Sequence, residues 1–117
     1  MGKILVVDDA MFQRQMLVKL LHEHEVIEAE TGAVAVKKYF DEGADLILMD
    51  ITMPDMDGIE AVKKIRELDK SVPIIMVSAM GQKMKVVEAI QAGATSFIVK
   101  PYKPEQIMAA VSSILSK

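Results

Sequence analysis

The sequence contains no cysteine, which excludes a disulfide framework, thiolate catalysis and zinc sites built on cysteine. No apolar run approaches the roughly 20 residues needed to span a bilayer. Met1-Gly2-Lys3 runs directly into Ile4-Leu5-Val6-Val7, too short a stretch for a signal-peptide core. A cytoplasmic protein without a membrane partner is expected. Excess basic charge is also absent: 14 Lys and Arg stand against 17 Asp and Glu, a formal net charge of −3, so direct nucleic-acid binding is not expected. Linkers, low-complexity tracts and defensible internal repeats are missing. The chain is instead rich in core-forming residues. It has 51% hydrophobic and 26% charged residues over 117 positions, enough to bury one core and too apolar for disorder. One domain over 1–117 with no output domain is expected.

The charge is unevenly placed. Residues 1–58 hold 12 acids and 5 bases, whereas residues 59–117 hold 5 acids and 9 bases. An acidic front half and a basic back half suggest two electrostatic tasks within one domain.

Short apolar runs alternate with stretches of helical period. The runs Ile4–Val7, Val26–Ala29, Leu46–Met49, Ile74–Val77 and Phe97–Val99 read as strands, mostly buried on both faces, with the second half exposed because Glu28 interrupts it. The stretches Met11–Glu23, Ala33–Phe40, Ile59–Leu68, Met84–Ala92 and Glu105–Leu115 read as helices. Thr31-Gly32 opens the second helix, Gly43 closes it, Pro54 and Gly58 bracket the loop before the third, Gly93 closes the fourth and Pro104 starts the fifth. Five β-α repeats imply an α/β, doubly wound domain with a parallel five-stranded sheet. Right-handed crossovers favour the flavodoxin-like strand order 2-1-3-4-5.

In such sheets, ligand chemistry collects at the carboxyl ends of the strands. The first run ends in Asp8-Asp9, the third in Asp50, the fourth in Ser78 and the fifth in Lys100. Singly, Asp8 or Asp9 also suits a helix N-terminus, Asp50 a turn, Ser78 a cap and Lys100 solvent. Together on one rim they form three carboxylates, a hydroxyl and an ammonium. Crowded carboxylates repel, and one must take a proton or the group must take a cation. Oxygen donors with room for water suit Mg2+, with Asp9 and Asp50 as direct ligands, Asp8 partly through water and the backbone carbonyl of Thr52 as a neutral donor. A carboxylate beside Mg2+ and a lysine is placed to attack phosphorus in line. Asp50, between the acidic pair and the Ser78–Lys100 pair, is the nucleophile candidate.

The stretches Ile4-Leu5-Val6-Val7-Asp8-Asp9, Leu46-Ile47-Leu48-Met49-Asp50-Ile51-Thr52-Met53-Pro54-Asp55-Met56-Asp57-Gly58, Ser78-Ala79 and Lys100-Pro101-Tyr102 carry a resemblance. In this order and spacing, the chain resembles the receiver domain of two-component response regulators over essentially its whole length. Met76-Val77-Ser78-Ala79-Met80-Gly81-Gln82 is most similar to the stand-alone chemotaxis members. The resemblance implies a signalling switch rather than a conventional enzyme, one that catalyses its own phosphorylation and dephosphorylation. Asp50 matches the phosphoacceptor, Asp8 and Asp9 the Mg2+-holding pair, Thr52 the main-chain carbonyl donor, Ser78 the hydroxyl that follows the phosphoryl group, and Lys100 the site lysine, whose bond to Pro101 is expected to be cis. Phe97 matches the aromatic switch position, where the family often has Tyr or His. It keeps an inward–outward ring shift but no hydroxyl. The implied partners are a histidine kinase, a downstream protein such as the flagellar motor switch, and a phosphatase.

Lys83, Met84, Lys85, Tyr102 and Lys103 are the expected partner surface, suited to an acidic or acidic-apolar peptide. Of the 10 methionines, Met80 and Met84 suit an adaptable docking patch, and Met16, Met49 and Met76 are expected in or near the core. The run between the first helix and second strand, Leu21-His22-Glu23-His24-Glu25-Val26, lacks the glycine usual there and is short. His22 and His24, at i, i+2 spacing, are expected at the surface rather than as ligands. A phosphorelay intermediate, or a receiver excised from a transcriptional regulator, uses the same site residues. Other classes fit poorly: a dinucleotide fold lacks its glycine fingerprint, acidic Asp8-Asp9 would repel a flavin phosphate, and adjacent aspartates do not make the Asp-x-Asp of a haloacid-dehalogenase-type phosphatase.

Overall fold

A computed structural model describes residues 2–53 and 56–116. The strands are β1 (Lys3–Val7), β2 (Glu25–Ala29), β3 (Leu46–Asp50), β4 (Ile74–Ser78) and β5 (Ser96–Val99). The helices between and after them are α1 (Met11–Leu20), α2 (Gly32–Glu42), α3 (Gly58–Leu68), α4 (Lys83–Ala92) and α5 (Pro104–Leu115). All strand pairs are parallel, and the order is β2-β1-β3-β4-β5, as the β-α repeat requires. Among the described residues, no helix is long and apolar enough to cross a membrane.

Strand alternation divides the core in two. Leu5, Val7, Ile47, Met49, Ile74 and Met76 face one layer, which α2, α3 and α4 cover with Ala35, Tyr39, Val62, Ile65, Val86 and Ala89. Ile4, Val6, Leu46, Leu48 and Ile75 face the other, which α1 and α5 cover with Leu17, Leu21, Ile107 and Val111. Both faces of β1, β3 and β4 are thus dry, which explains their unbroken Ile, Leu and Val content. Each such side chain removed from water contributes about 1.5–3 kcal/mol.

Local signals set the helix starts. Thr31 Oγ1 accepts the Val34 amide at 3.1 Å, and Asp57 Oδ1 accepts the Glu60 amide at 2.9 Å. Gly43, at φ +74°, ends α2 as expected. Gly93, at φ +121°, ends α4. Gly58 is the first residue of α3, while Pro54 lies outside the described residues.

Three expectations need correction. The first helix stops at Leu20, not Glu23: the Leu21 amide closes it on Leu17, and the chain turns at once because His24 Nδ1 accepts the Gly2 amide at 3.1 Å. β5 is not buried on both faces. It is an edge strand, and Phe97 on it is 48% exposed. Met16 is outside the core at 48% exposure, because the inward stripe of α1 runs through Arg14, Leu17 and Leu21; Met49 and Met76 are fully buried as expected.

Candidate functional site

The parallel register brings the strand ends to one rim. Asp8 follows β1, and its amide continues the ladder to the Ala29 carbonyl at 3.1 Å. Asp50 and Ser78 are the last residues of β3 and β4, with Asp50 paired to Val77. Lys100 follows β5, and its amide donates to the Ser78 carbonyl at 2.7 Å. The Lys100–Pro101 bond is cis. Gly58 anchors the far side of β3: its amide donates to the Ile51 carbonyl at 2.7 Å, drawing the start of α3 against the phosphoacceptor candidate.

Asp8, Asp9 and Asp50 each place a carboxylate oxygen within 4.8 Å of the others. Lys100 Nζ lies 3.5 Å from Asp8 Oδ2 and 3.7 Å from Asp50 Oδ1, one ammonium shared by two buried acids. Burial, reinforced by the charge of Asp8, pushes the Asp50 carboxyl up to about 6 despite the opposing pull of Lys100. Burial and the charges of Asp8 and Asp50 also raise Tyr102. The cluster is therefore short of positive charge. A hard divalent cation on oxygen donors relieves that deficit, and the donor set fits Mg2+. Ser78, at the end of β4 next to the strand that ends in Asp50, gives a second sign of fit: it is 1% exposed and its Oγ finds no hydrogen-bond partner among the described residues.

The alternative role of Asp8 as a turn residue is also realised in part, since its Oδ1 accepts the Ala10 amide at 2.9 Å while Oδ2 faces Lys100. Thr52 is exposed, and its Oγ1 accepts a hydrogen bond from Gln82 Nε2 at 2.7 Å. Neither His22 nor His24 joins the acidic group.

Phe97 lines an open apolar groove of about 520 Å³ together with Ser78, Val86, Val87 and Ile90. Lys83, Met84 and Lys85 are exposed on the first turn of α4, and Lys103 is exposed before α5. Met80 and Met84 are both exposed. Tyr102 sits differently from the rest of that set: it is half-buried and shares a cleft with Met16, Leu17 and Leu20 of α1.

Two residues at the site escaped the sequence reading. Arg14 is buried, donates through Nη1 to the Asp8 carbonyl at 2.7 Å, and pairs through Nε with Glu28 at 3.2 Å. Its signal was its position three and seven residues before Leu17 and Leu21, on the buried face of α1. Gln82 links the loops after β3 and β4; it lies within the stretch 76–82 that carries part of the resemblance, but no sequence pattern assigned it a role.

A parallel five-stranded sheet carrying an acid triad, a shared lysine and a buried free hydroxyl at its carboxyl rim defines a class, and the chain belongs to it: the response regulator receiver domain family matches residues 4–112. Within that class it is a receiver of the CheY type, part of a two-component response-regulator system. It is 50% identical to the chemotaxis protein CheY of Bacillus subtilis (strain 168), over 97% of this chain and 98% of that protein. It is 48% identical to CheY of Thermotoga maritima, over 97% and 98%. Among solved structures, Vibrio cholerae chemotaxis protein CheY4 superposes with a TM-score of 0.90 at 35% identity, covering 97% of this chain and 98% of that one. The receiver domain of NtrX from Brucella abortus gives 0.90 at 29% identity, over 97% and 98%.

Proposed function

We propose that the chain acts as a single receiver domain whose Asp50 accepts a phosphoryl group from a histidine kinase, and that this switches a surface read by a downstream protein in chemotaxis, such as the flagellar motor switch. The observation that carries the reading is the shared-lysine acid cluster with the unsatisfied Ser78 hydroxyl beside it. Asp8, Asp9, Asp50 and the main-chain carbonyl of Thr52 would hold Mg2+, which supplies charge neutralisation at the phosphoryl oxygens when bound. Asp50 attacks phosphorus as the carboxylate, and the donor's leaving group departs in line. Lys100, already positioned between Asp8 and Asp50, balances the developing negative charge.

The product carries about −1.5 to −2 charge and new acceptor oxygens. Ser78, whose hydroxyl is buried and has no partner among the described residues, donates to one of them and draws its loop inward. The groove that Phe97 lines then receives the ring, and the α4–β5–α5 face changes shape. This is a shift between two packings, biased by the phosphoryl group. Lys83, Met84, Lys85 and Lys103 supply a basic and adaptable contact for an acidic-apolar partner, with Tyr102 at its margin. A phosphatase would return the switch to rest, and the reading places the whole cycle in the cytoplasm. Asp50→Asn should abolish labelling by acetyl phosphate in the presence of Mg2+; labelling of the variant at the wild-type rate would reject the assignment.

A further inference from the structure

The loop from Ser78 to α4 is tied down by one side chain. Gln82 Oε1 accepts the Ala79 amide at 2.6 Å, and Gln82 Nε2 donates to Thr52 Oγ1 at 2.7 Å. The first bond fixes the residue that follows Ser78. The second reaches 30 residues back, to the loop two residues beyond Asp50. Gln82 is also the N-cap residue of α4, yet its side chain caps nothing there. The first turn of α4 has no acidic residue and carries Lys83 and Lys85, the wrong charge for the positive end of a helix dipole. The start of α4 is thus weakly held by its own chemistry, and Gln82 spends both of its polar groups on the loops.

We propose that Gln82 is a latch that holds the resting arrangement of the switch loop, a positioning residue acting through Ala79 and Thr52. The inference rests on Asp50 being the phosphoacceptor. For Ser78 to move toward a phosphorylated Asp50, the Ala79 amide must leave Gln82, since the two residues are adjacent and share one peptide unit. Gln82 lines the same groove as Phe97 and Ser78, so release of the latch and entry of the ring involve one space. The latch sets the resting equilibrium: the tighter Gln82 holds, the rarer the phosphorylation-ready arrangement.

The test uses the full chain. Amide hydrogen exchange is measured in the unphosphorylated wild type and in Gln82→Ala, and each is then labelled with acetyl phosphate and Mg2+. Gln82→Ala should raise exchange at Ala79 about fivefold and speed labelling of Asp50 by a similar factor, the scale of one or two partly exposed hydrogen bonds. Exchange at Leu48 in the core should stay at the wild-type rate, which separates release of a latch from general loosening. Gln82→Glu keeps an acceptor for Ala79 and should return the Ala79 exchange rate toward wild type. Ala79 exchange in Gln82→Ala within twofold of wild type, or faster exchange with no gain in labelling, would overturn the latch. A wild type that takes no label refutes the phosphoacceptor reading instead, and that result is seen before any variant is compared.

Discussion

Replacing Gly58 with alanine tests how tightly the start of α3 is seated on β3, the strand that ends in the proposed phosphoacceptor Asp50. A Cβ built at Gly58 would lie 2.2 Å from the Asp50 carbonyl oxygen and 3.0 Å from both Ile51 Cα and Met76 Cε. Ordinary contact begins near 3.4 Å, so the closest pair must separate by about 1.2 Å, the difference between those distances. Neither side yields cheaply. β3 is paired on both edges, and the Gly58 amide is bonded to the Ile51 carbonyl at 2.7 Å. Overpacking of this kind costs about 2–3 kcal/mol. With a urea slope of about 1.5 kcal/mol per M, typical for a small domain, the midpoint should fall by about 1.3–2 M. The strain falls on the backbone of Asp50 itself, and a displacement of roughly 1 Å at a reacting group costs on the order of 100-fold in rate. Acetyl-phosphate labelling should slow accordingly. Gly43→Ala serves as the control: its Cβ meets nothing within 4 Å, so only its backbone conformation, φ +74° and ψ 169°, a region nearly confined to glycine, is penalised, at about 1–3 kcal/mol, and labelling should stay at the wild-type rate. A Gly58→Ala protein with an unchanged urea midpoint and wild-type labelling would refute the steric argument.

Arg14→Met should lower the thermal midpoint by about 4–10 °C, because the Asp8 carbonyl loses a buried charged donor, a loss of about 1–3 kcal/mol; calorimetry showing no decrease would mean that the Arg14–Asp8 bond contributes nothing. The Tyr39 hydroxyl donates to Asp69 and ties α2 to the loop after α3. That bond, followed by donors from Ser71, holds Asp69 down at about 2, so its contribution is complete above the ordinary carboxylate range near pH 4 and is lost as pH falls toward 2. Burial, then Asp69, raises Tyr39 to about 12, so that contribution is complete below about pH 10 and is lost as pH rises toward 12. Tyr39→Phe should therefore flatten the alkaline limb of a plot of urea midpoint against pH and make the acid limb shallower, and parallel curves for the two proteins would contradict the coupling.

The residue pattern determined most of the architecture. Continuous Ile, Leu and Val runs alternating with amphipathic stretches admit few arrangements other than a parallel sheet covered on both faces, and parallel crossovers have one hand. That logic placed Asp8, Asp9, Asp50, Ser78 and Lys100 at strand ends, because a strand's end is a local property marked by the switch from apolar to polar residues. Contacts between loops were not legible. Nothing local distinguishes Gln82 bonded to Thr52 from a solvated glutamine, since the pairing exists only once β3 and β4 are adjacent. Arg14 and Tyr39 likewise find their partners across elements, and Met16 left the core because the rotation of α1 on the sheet, not its composition, selects the buried stripe. The exposure of β5 has the same origin: edge position is fixed by strand order, and its short apolar run is indistinguishable in sequence from a central one. The sequence by itself thus determined which groups stand at the ends of which strands, through short-range periodicity. The tertiary structure decided which of them share a proton donor, a cation or a latch, because those depend on distances across the sheet that no spacing along the chain encodes.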